Sequence, residues 1–141
     1  MRRRSKLLVI VVVAMGVGFL DEPGSGYGMI RIAQQEHDWN VPTEAKTLKN
    51  PVAGDEHMVE RGRKLFRTWC AMCHGDKGRG DGMVANSLEP KPTDLTKVIK
   101  NQSDGELFWK ITKGKLPMPG FEVTLSEKDR WAVVTFLRRG L

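Results

Sequence analysis

The chain has 141 residues, enough for one domain, and its first fifty or so are poorly equipped to join a compact core, which leaves about ninety to fold. A unit that small buries little apolar area, so a disulfide, a metal or a large cofactor would usefully supplement its core. The net charge of +6 does not argue for nucleic acid: Arg2, Arg3, Arg4 and Lys6 carry four of those charges, only +2 remains from Asp21 onward, and no nucleic-acid motif accompanies it.

The chain opens with the basic stretch MRRRSK and the uncharged apolar run LLVIVVVAMGVGFL, and DEPGSG then breaks the pattern. Residues 1–20 are read as a signal peptide or an uncleaved membrane anchor. As a helix, Leu7 to Leu20 would reach about 21 Å, short of the roughly 30 Å hydrocarbon core, although flanking arginines could snorkel. Ala14-Met15-Gly16 and Gly16-Val17-Gly18 offer only weak signal-peptidase sites, and no cysteine follows to take a lipid. Cleavage and retention both stay open. Either places the domain in the periplasm or on the extracytoplasmic face of a membrane, with residues 7–20 available for membrane association.

Residues 21–54 carry Pro23, Pro42 and Pro51 and no sustained periodicity, which reads as an arm or linker, either extended or docked along the domain through Trp39 and Val41. From Asp55 the pattern becomes helical: Met58, Gly62, Leu65, Phe66 and Trp69 share one face, and Asp55 and Glu56 suit its N-terminal end. This first main helix delivers Cys70 at its last turns. The stretch GDKGRGDGMVANSLEPKPTDL reads as loop with one helical turn near Met83 to Leu88. Ser103 and Glu106 form a capping box ahead of LFWKITKG, a second helix that Gly114 terminates. Ser126-Glu127-Lys128-Asp129 opens a third, DRWAVVTFLRR, running to the chain end. The domain, residues 55–141, is expected to be all-α.

The two cysteines stand in WCAMCHG, three positions apart with a histidine following. A disulfide between Cys70 and Cys73 would close a tiny loop and constrain almost nothing. A thioredoxin-like redox pair expects a βαβ context that is missing. Zinc needs four ligands, and beyond Cys70, Cys73 and His74 only His37 and His57 remain, at no characteristic spacing. The fourth reading is covalent haem: two thiols so spaced add across the two vinyl groups of a porphyrin, and the adjacent histidine meets the iron.

With CHGDKGRGDG after the first cysteine and MPGF near the end, the chain from about Asn50 to Leu141 resembles a small bacterial monohaem class I cytochrome c. The resemblance implies about three main helices around one covalently bound haem c. Cys70 and Cys73 match the thioether positions and His74 the proximal iron ligand. Gly62 and Phe66 match the glycine and aromatic at which the family's first and last helices cross, with Val133 and Phe136 as their partners.

Of the seven methionines, Met1 and Met15 belong to the export segment, Met29 to the arm, Met58 to the buried helix face, and Met72 is too close to the proximal side to serve as the second axial ligand. Met83 and Met118 remain. The resembled family places its distal ligand where this chain has Met118, in KLPMPGF, and Met83 is then expected to contact the porphyrin. His57 should point to solvent, and His37 could reach the iron only if the arm folded over.

Leu88, Leu95, Leu107, Phe108, Ile111, Leu116 and Phe121 are expected to wall the pocket, and Trp109, Lys91, Lys110 or Lys115 to bond a propionate. Lys77 with Arg79, and Lys113 with Lys115, are expected to flank the haem edge. The function implied is a one-electron carrier, or an electron-transfer subunit, of a respiratory or photosynthetic chain, without catalytic residues of its own. Its partners would be a redox donor and an acceptor, one of them a membrane respiratory complex in the subunit case. The alternative is a haem-based catalytic or ligand-sensing protein in which Met118 is displaced; against it, Met118 would fill the open position and no distal acid-base histidine is present.

Overall fold

The computed structural model describes residues 39–141. Residues 1–20, expected to be a signal peptide or anchor, lie outside the described residues, as do His37 and the first part of the arm. Among the described residues six helices follow one another: α1 (Thr43–Thr47), α2 (Glu56–Trp69), α3 (Ala71–His74), α4 (Leu95–Val98), α5 (Asp104–Lys113) and α6 (Glu127–Gly140), with single 3-10 turns at Ala85–Ser87 and Ile99–Asn101. Among the described residues there is no strand, only an isolated bridge between Lys115 and Met118. The fold is all-α.

The three long helices begin where local chemistry satisfies their first amides. The Asp55 carboxylate accepts from the amides of His57 and Met58 at the start of α2. Ser103 and Glu106 form a reciprocal capping box on α5, and the Ser126 hydroxyl accepts from the Asp129 amide on α6. Each cap supplies an oxygen to an N–H that has no partner within the helix. At the far end of α5 the chain leaves through Gly114.

Helices α2 and α6 cross at Gly62. A Cβ built there would stand 2.0 Å from the Ala132 carbonyl oxygen and 2.8 Å from the Phe136 Cβ, so the two backbones touch where only hydrogen fits. Phe66 and Phe136 pack beside this point, ring centroids 5.4 Å apart, and Val133 is buried in the same core. The expected partner Phe136 is thus in place, while the main-chain contact itself falls on Ala132.

The middle of α6 is buried from Arg130 to Leu137 because its faces meet different neighbours. Trp131 stacks on Phe108 of α5, with centroids 4.0 Å apart. Arg130 donates to the carbonyls of Glu122 (3.0 Å) and Leu125 (2.8 Å), tying the preceding loop to the helix, and its guanidinium lies 5.3 Å from the Phe108 ring. Arg138 reaches Asp104 and the carbonyls of Ile99 and Gln102, and so fixes the start of α5 against the end of α6.

Of the two readings of the arm, docking describes its second half. Ala45 of α1 is buried against α5, the Asn50 amide donates to the Thr135 hydroxyl at 2.9 Å, and Trp39 lines the central cavity. The packed body therefore begins upstream of Asp55.

An ion pair between Arg61 and Asp129 bridges α2 and α6 beside the crossing. The Arg61 guanidinium, with help from the Ser126 hydroxyl, holds the Asp129 carboxyl below its ordinary value of 3.8. A depressed folded-state value contributes stability above the ordinary value, and that contribution is lost as the pH falls through the folded-state value. Asp129→Asn should therefore lower the urea midpoint at pH 7, and the two proteins should converge as the pH drops below 3.8. A gap unchanged in acid would mean that the carboxylate charge is not what matters.

Candidate haem site

The motif sits on one tight turn. Cys70 closes α2, and its carbonyl accepts from the amides of Cys73 (3.1 Å) and His74 (2.9 Å), so both thiols and the imidazole leave the turn that α3 makes. At Gly75 the chain turns at φ +75, a conformation that L side chains rarely adopt, and a Cβ there would also strike the Asp81 carboxylate at 2.0 Å. The glycine-rich loop that follows folds back over the motif: Gly80 N–H donates to the His74 carbonyl, Gly82 N–H to Cys73 and Val84 N–H to Met72, at 2.9 to 3.1 Å. The repeated glycines of GDKGRGDG thus supply donors to the motif's own carbonyls.

His74 is oriented from behind. Its Nδ1 lies 3.2 Å from the Thr93 carbonyl, which only accepts, so the proton belongs on Nδ1 and Nε2 keeps its lone pair. Burial lowers the His74 value, with the Thr93 contact opposing, and a neutral imidazole is the form that binds a metal. Burial also pushes the Cys70 thiol up to about 12, with Cys73 adding to the effect.

Met118, which lines the same cavities as His74, stands on a loop stapled at two levels. Lys115 and Met118 exchange backbone hydrogen bonds of 3.0 and 2.9 Å, and the Phe121 N–H donates to the Ile111 carbonyl at 3.0 Å. Pro117 and Pro119 on either side restrict the backbone further.

Between these walls lie two adjoining cavities of about 460 and 230 Å³, with Trp39, Cys70, His74, Lys91, Pro92, Thr93 and Met118 lining both. Cys73 borders the smaller one. The size falls within the range of cofactor sites. Two thiols, an imidazole whose Nε2 keeps its lone pair and a thioether, gathered on the lining of these largely apolar cavities, form a donor set that fits a haem. By contrast, among the described residues no cluster of three or more histidine, cysteine or acidic side chains is arranged to hold a metal ion by itself.

Of the expected wall, Leu95, Leu107 and Ile111 line the larger cavity and Leu88, Leu116 and Phe121 the smaller. Phe108 does not: one position on from Leu107, it turns to Trp131 and Arg130 instead. Met83 is corrected too, being 92% exposed on a separate surface groove with Met72, Lys77 and Arg79. It borders neither of the two cavities. Lys91 and Lys110 border the larger cavity and Lys91 and Lys115 the smaller, whereas Trp109 borders neither. The pair Lys113 and Lys115 is not a plain basic patch, since Lys113 is bound to Glu122 at 2.8 Å. His57 is exposed at the start of α2, as expected. The sequence reading missed Trp39, Phe66, Val98, Val133 and Leu137 as cavity walls.

Among the described residues, an all-helical fold around such a cavity fits a monohaem c-type cytochrome. Residues 57–137 match the family described as cytochrome c oxidase, cbb3-type, subunit III, and the chain belongs to that family. Cytochrome c6 of Limnospira maxima is 36% identical over 74 residues, which cover 50% of this chain and 80% of that protein. Among solved structures, a chain of the Kuenenia stuttgartiensis reducing HAO-like protein complex matches with a TM-score of 0.53 at 25% identity, over 64% of this chain. The matched part covers 47% of that longer chain. The protein accordingly carries one covalently bound haem c and serves electron transfer.

Proposed function

We propose that the chain passes single electrons through a haem held by thioether bonds from Cys70 and Cys73 and ligated by His74 and Met118. The observation that carries this reading is the convergence of Cys70, His74 and Met118 on one apolar cavity. When bound, haem supplies a one-electron exchange between ferrous and ferric iron. The chain's part is to keep that exchange from demanding rearrangement. Thr93 fixes the His74 ring, the stapled loop fixes Met118, and Phe66, Leu107 and Ile111 exclude water between them. A thioether donor favours ferrous iron and raises the potential.

The domain is proposed to work on the extracytoplasmic side of a membrane, as an electron-transfer subunit of a larger redox assembly. Residues 1–20 would serve as export signal or anchor, 21–54 as an arm whose second half docks on the body, and 55–141 as the main part of the haem domain. The family's description as an oxidase subunit and the likeness to a member of a multi-protein complex support the subunit reading over a free shuttle. Apolar side chains bordering the smaller cavity also favour a standing contact: Leu116 is 87% exposed and Trp69 45% exposed.

Denaturing electrophoresis with haem staining tests the attachment. The parent should keep its stain after acid-acetone extraction, and Cys70→Ala or Cys73→Ala should sharply weaken or abolish it. Haem extracted from the parent would overturn the thioether assignment. Blue-native electrophoresis of membranes, stained for haem, tests the assembly: the stain should run well above the 15.9 kDa of the chain. A stain confined to the soluble fraction at monomer size would favour the shuttle.

A further inference from the structure

Trp39 lies outside the matched family region, yet it lines both cavities with His74 and Met118. Its position is built rather than incidental. The Lys110 ammonium stands 5.5 Å from its ring centroid and also donates to the Gln102 side-chain oxygen at 2.8 Å. Just downstream, α1 packs on α5 so closely that a Cβ at Gly105 would lie 1.9 Å from the Ala45 carbonyl oxygen. The strap is pinned once more where Asn50 donates to Thr135, and Asn50 in turn accepts from the Val52 amide at 3.0 Å. Residues 39–52 thus form a strap, fastened to α5 and α6, that ends on the cavity wall.

We propose that Trp39 is a positioning residue for electron transfer: the strap holds its indole as a wall of the haem cavity, where it keeps water from the cofactor and holds the reduction potential up. The inference rests on the reading in which haem lies between His74 and Met118. Ferric haem carries one more positive charge than ferrous haem, so water admitted beside it stabilises the ferric state and lowers the potential. An indole fills that space with apolar surface and also presents its face to the Lys110 cation. Phenylalanine retains most of this effect and alanine none.

Gly105 gives a second handle that leaves Trp39 in place. Alanine suits the α5 helix better than glycine does, but its methyl would collide with the Ala45 carbonyl and push the strap away. The experiment compares the full-length haem-loaded parent with Trp39→Ala, Trp39→Phe and Gly105→Ala. Three quantities are read: the midpoint potential, the near-infrared sulfur-to-ferric-iron band, and hydrogen exchange of the strap amides from Ala45 to Asn50.

The expected results are a lower potential in Trp39→Ala with the band retained, and a smaller change in Trp39→Phe. Gly105→Ala should show strap exchange about tenfold faster or more, with the potential lowered in the same direction. If Trp39→Ala disturbs the ligation, Trp39→Phe and Gly105→Ala decide, and unmoved potentials in both overturn the proposal. A released strap with an unmoved potential overturns it as well. A parent that lacks the band would overturn Met118 ligation and this proposal together, whereas an intact band with an unmoved potential in Trp39→Ala overturns the role of the strap alone.

Discussion

Met118→Ala is expected to lower the reduction potential by on the order of 100 mV, to abolish the near-infrared sulfur-to-ferric-iron band, and to open the iron to carbon monoxide or cyanide. The size of the effect follows from how the loop is held. The paired hydrogen bonds between Lys115 and Met118, the flanking prolines and the Phe121 to Ile111 staple leave little freedom for another donor to swing in. His57 cannot replace the thioether, because it is exposed at the start of α2, about 20 Å along the helix from Cys70. The vacated position should therefore take water or an added ligand. Met83→Ala is the matched control: Met83 is 92% exposed and away from both cavities, so all three properties should stay as in the parent. If the control lost the band and Met118→Ala kept it, the distal ligand would be misassigned. The same pair of variants bears on the alternative of a catalytic or sensing haem, which requires the parent itself to bind carbon monoxide readily.

What the sequence made legible is what short-range chemistry decides. Asp55, Ser103 with Glu106, and Ser126 cap helices within a few residues of themselves, and the starts of α2, α5 and α6 fall where those residues lie. The turn that carries Cys70, Cys73 and His74 is equally local. What escaped depends on contacts made far along the chain. Leu107 and Ile111, four positions apart, share the cavity face of α5, while Phe108, about 100° further round, finds Trp131 of α6. Nothing near Phe108 announces that α6 will bring a stacking partner. Arg130 was equally hidden: an arginine in the first turn of a helix suggests a solvated face, yet this one is buried because the carbonyls of the Phe121 to Leu125 loop need a donor. Trp39 was suspected of docking, but its place on the cavity wall follows from the fit of α1 against Gly105, which is a matter of two backbones and leaves no mark in hydrophobic periodicity.

Gly62→Leu should be the most damaging single change away from the haem ligands, and its cause can be separated from any effect on haem attachment. At the crossing of α2 and α6, the first carbon of any side chain would lie 2.0 Å from the Ala132 carbonyl oxygen, 2.6 Å from its carbon and 2.8 Å from the Phe136 Cβ. Two of these three atoms are backbone, so no rotamer change relieves them, and the helices must move apart. That separation would also loosen Phe66 against Phe136 and admit space beside Val133, all of them core residues, with Phe66 and Val133 on the cavity wall as well. Overpacking of this kind costs about 1–3 kcal/mol when the surroundings can adjust. Gly62→Ala is expected within that range, even though alanine is the better helix former. Gly62→Leu should exceed the range. The check is urea unfolding of the holoprotein followed by far-ultraviolet circular dichroism, with haem staining alongside. Haem should remain attached in both variants, because Cys70 and Cys73 stand on the turn that follows α2 and not at the crossing. A Gly62→Leu protein as stable as the parent would mean that the two helices do not meet at Gly62 and Ala132, and the close crossing that brings Phe66 and Val133 together on the cavity wall would have to be redrawn.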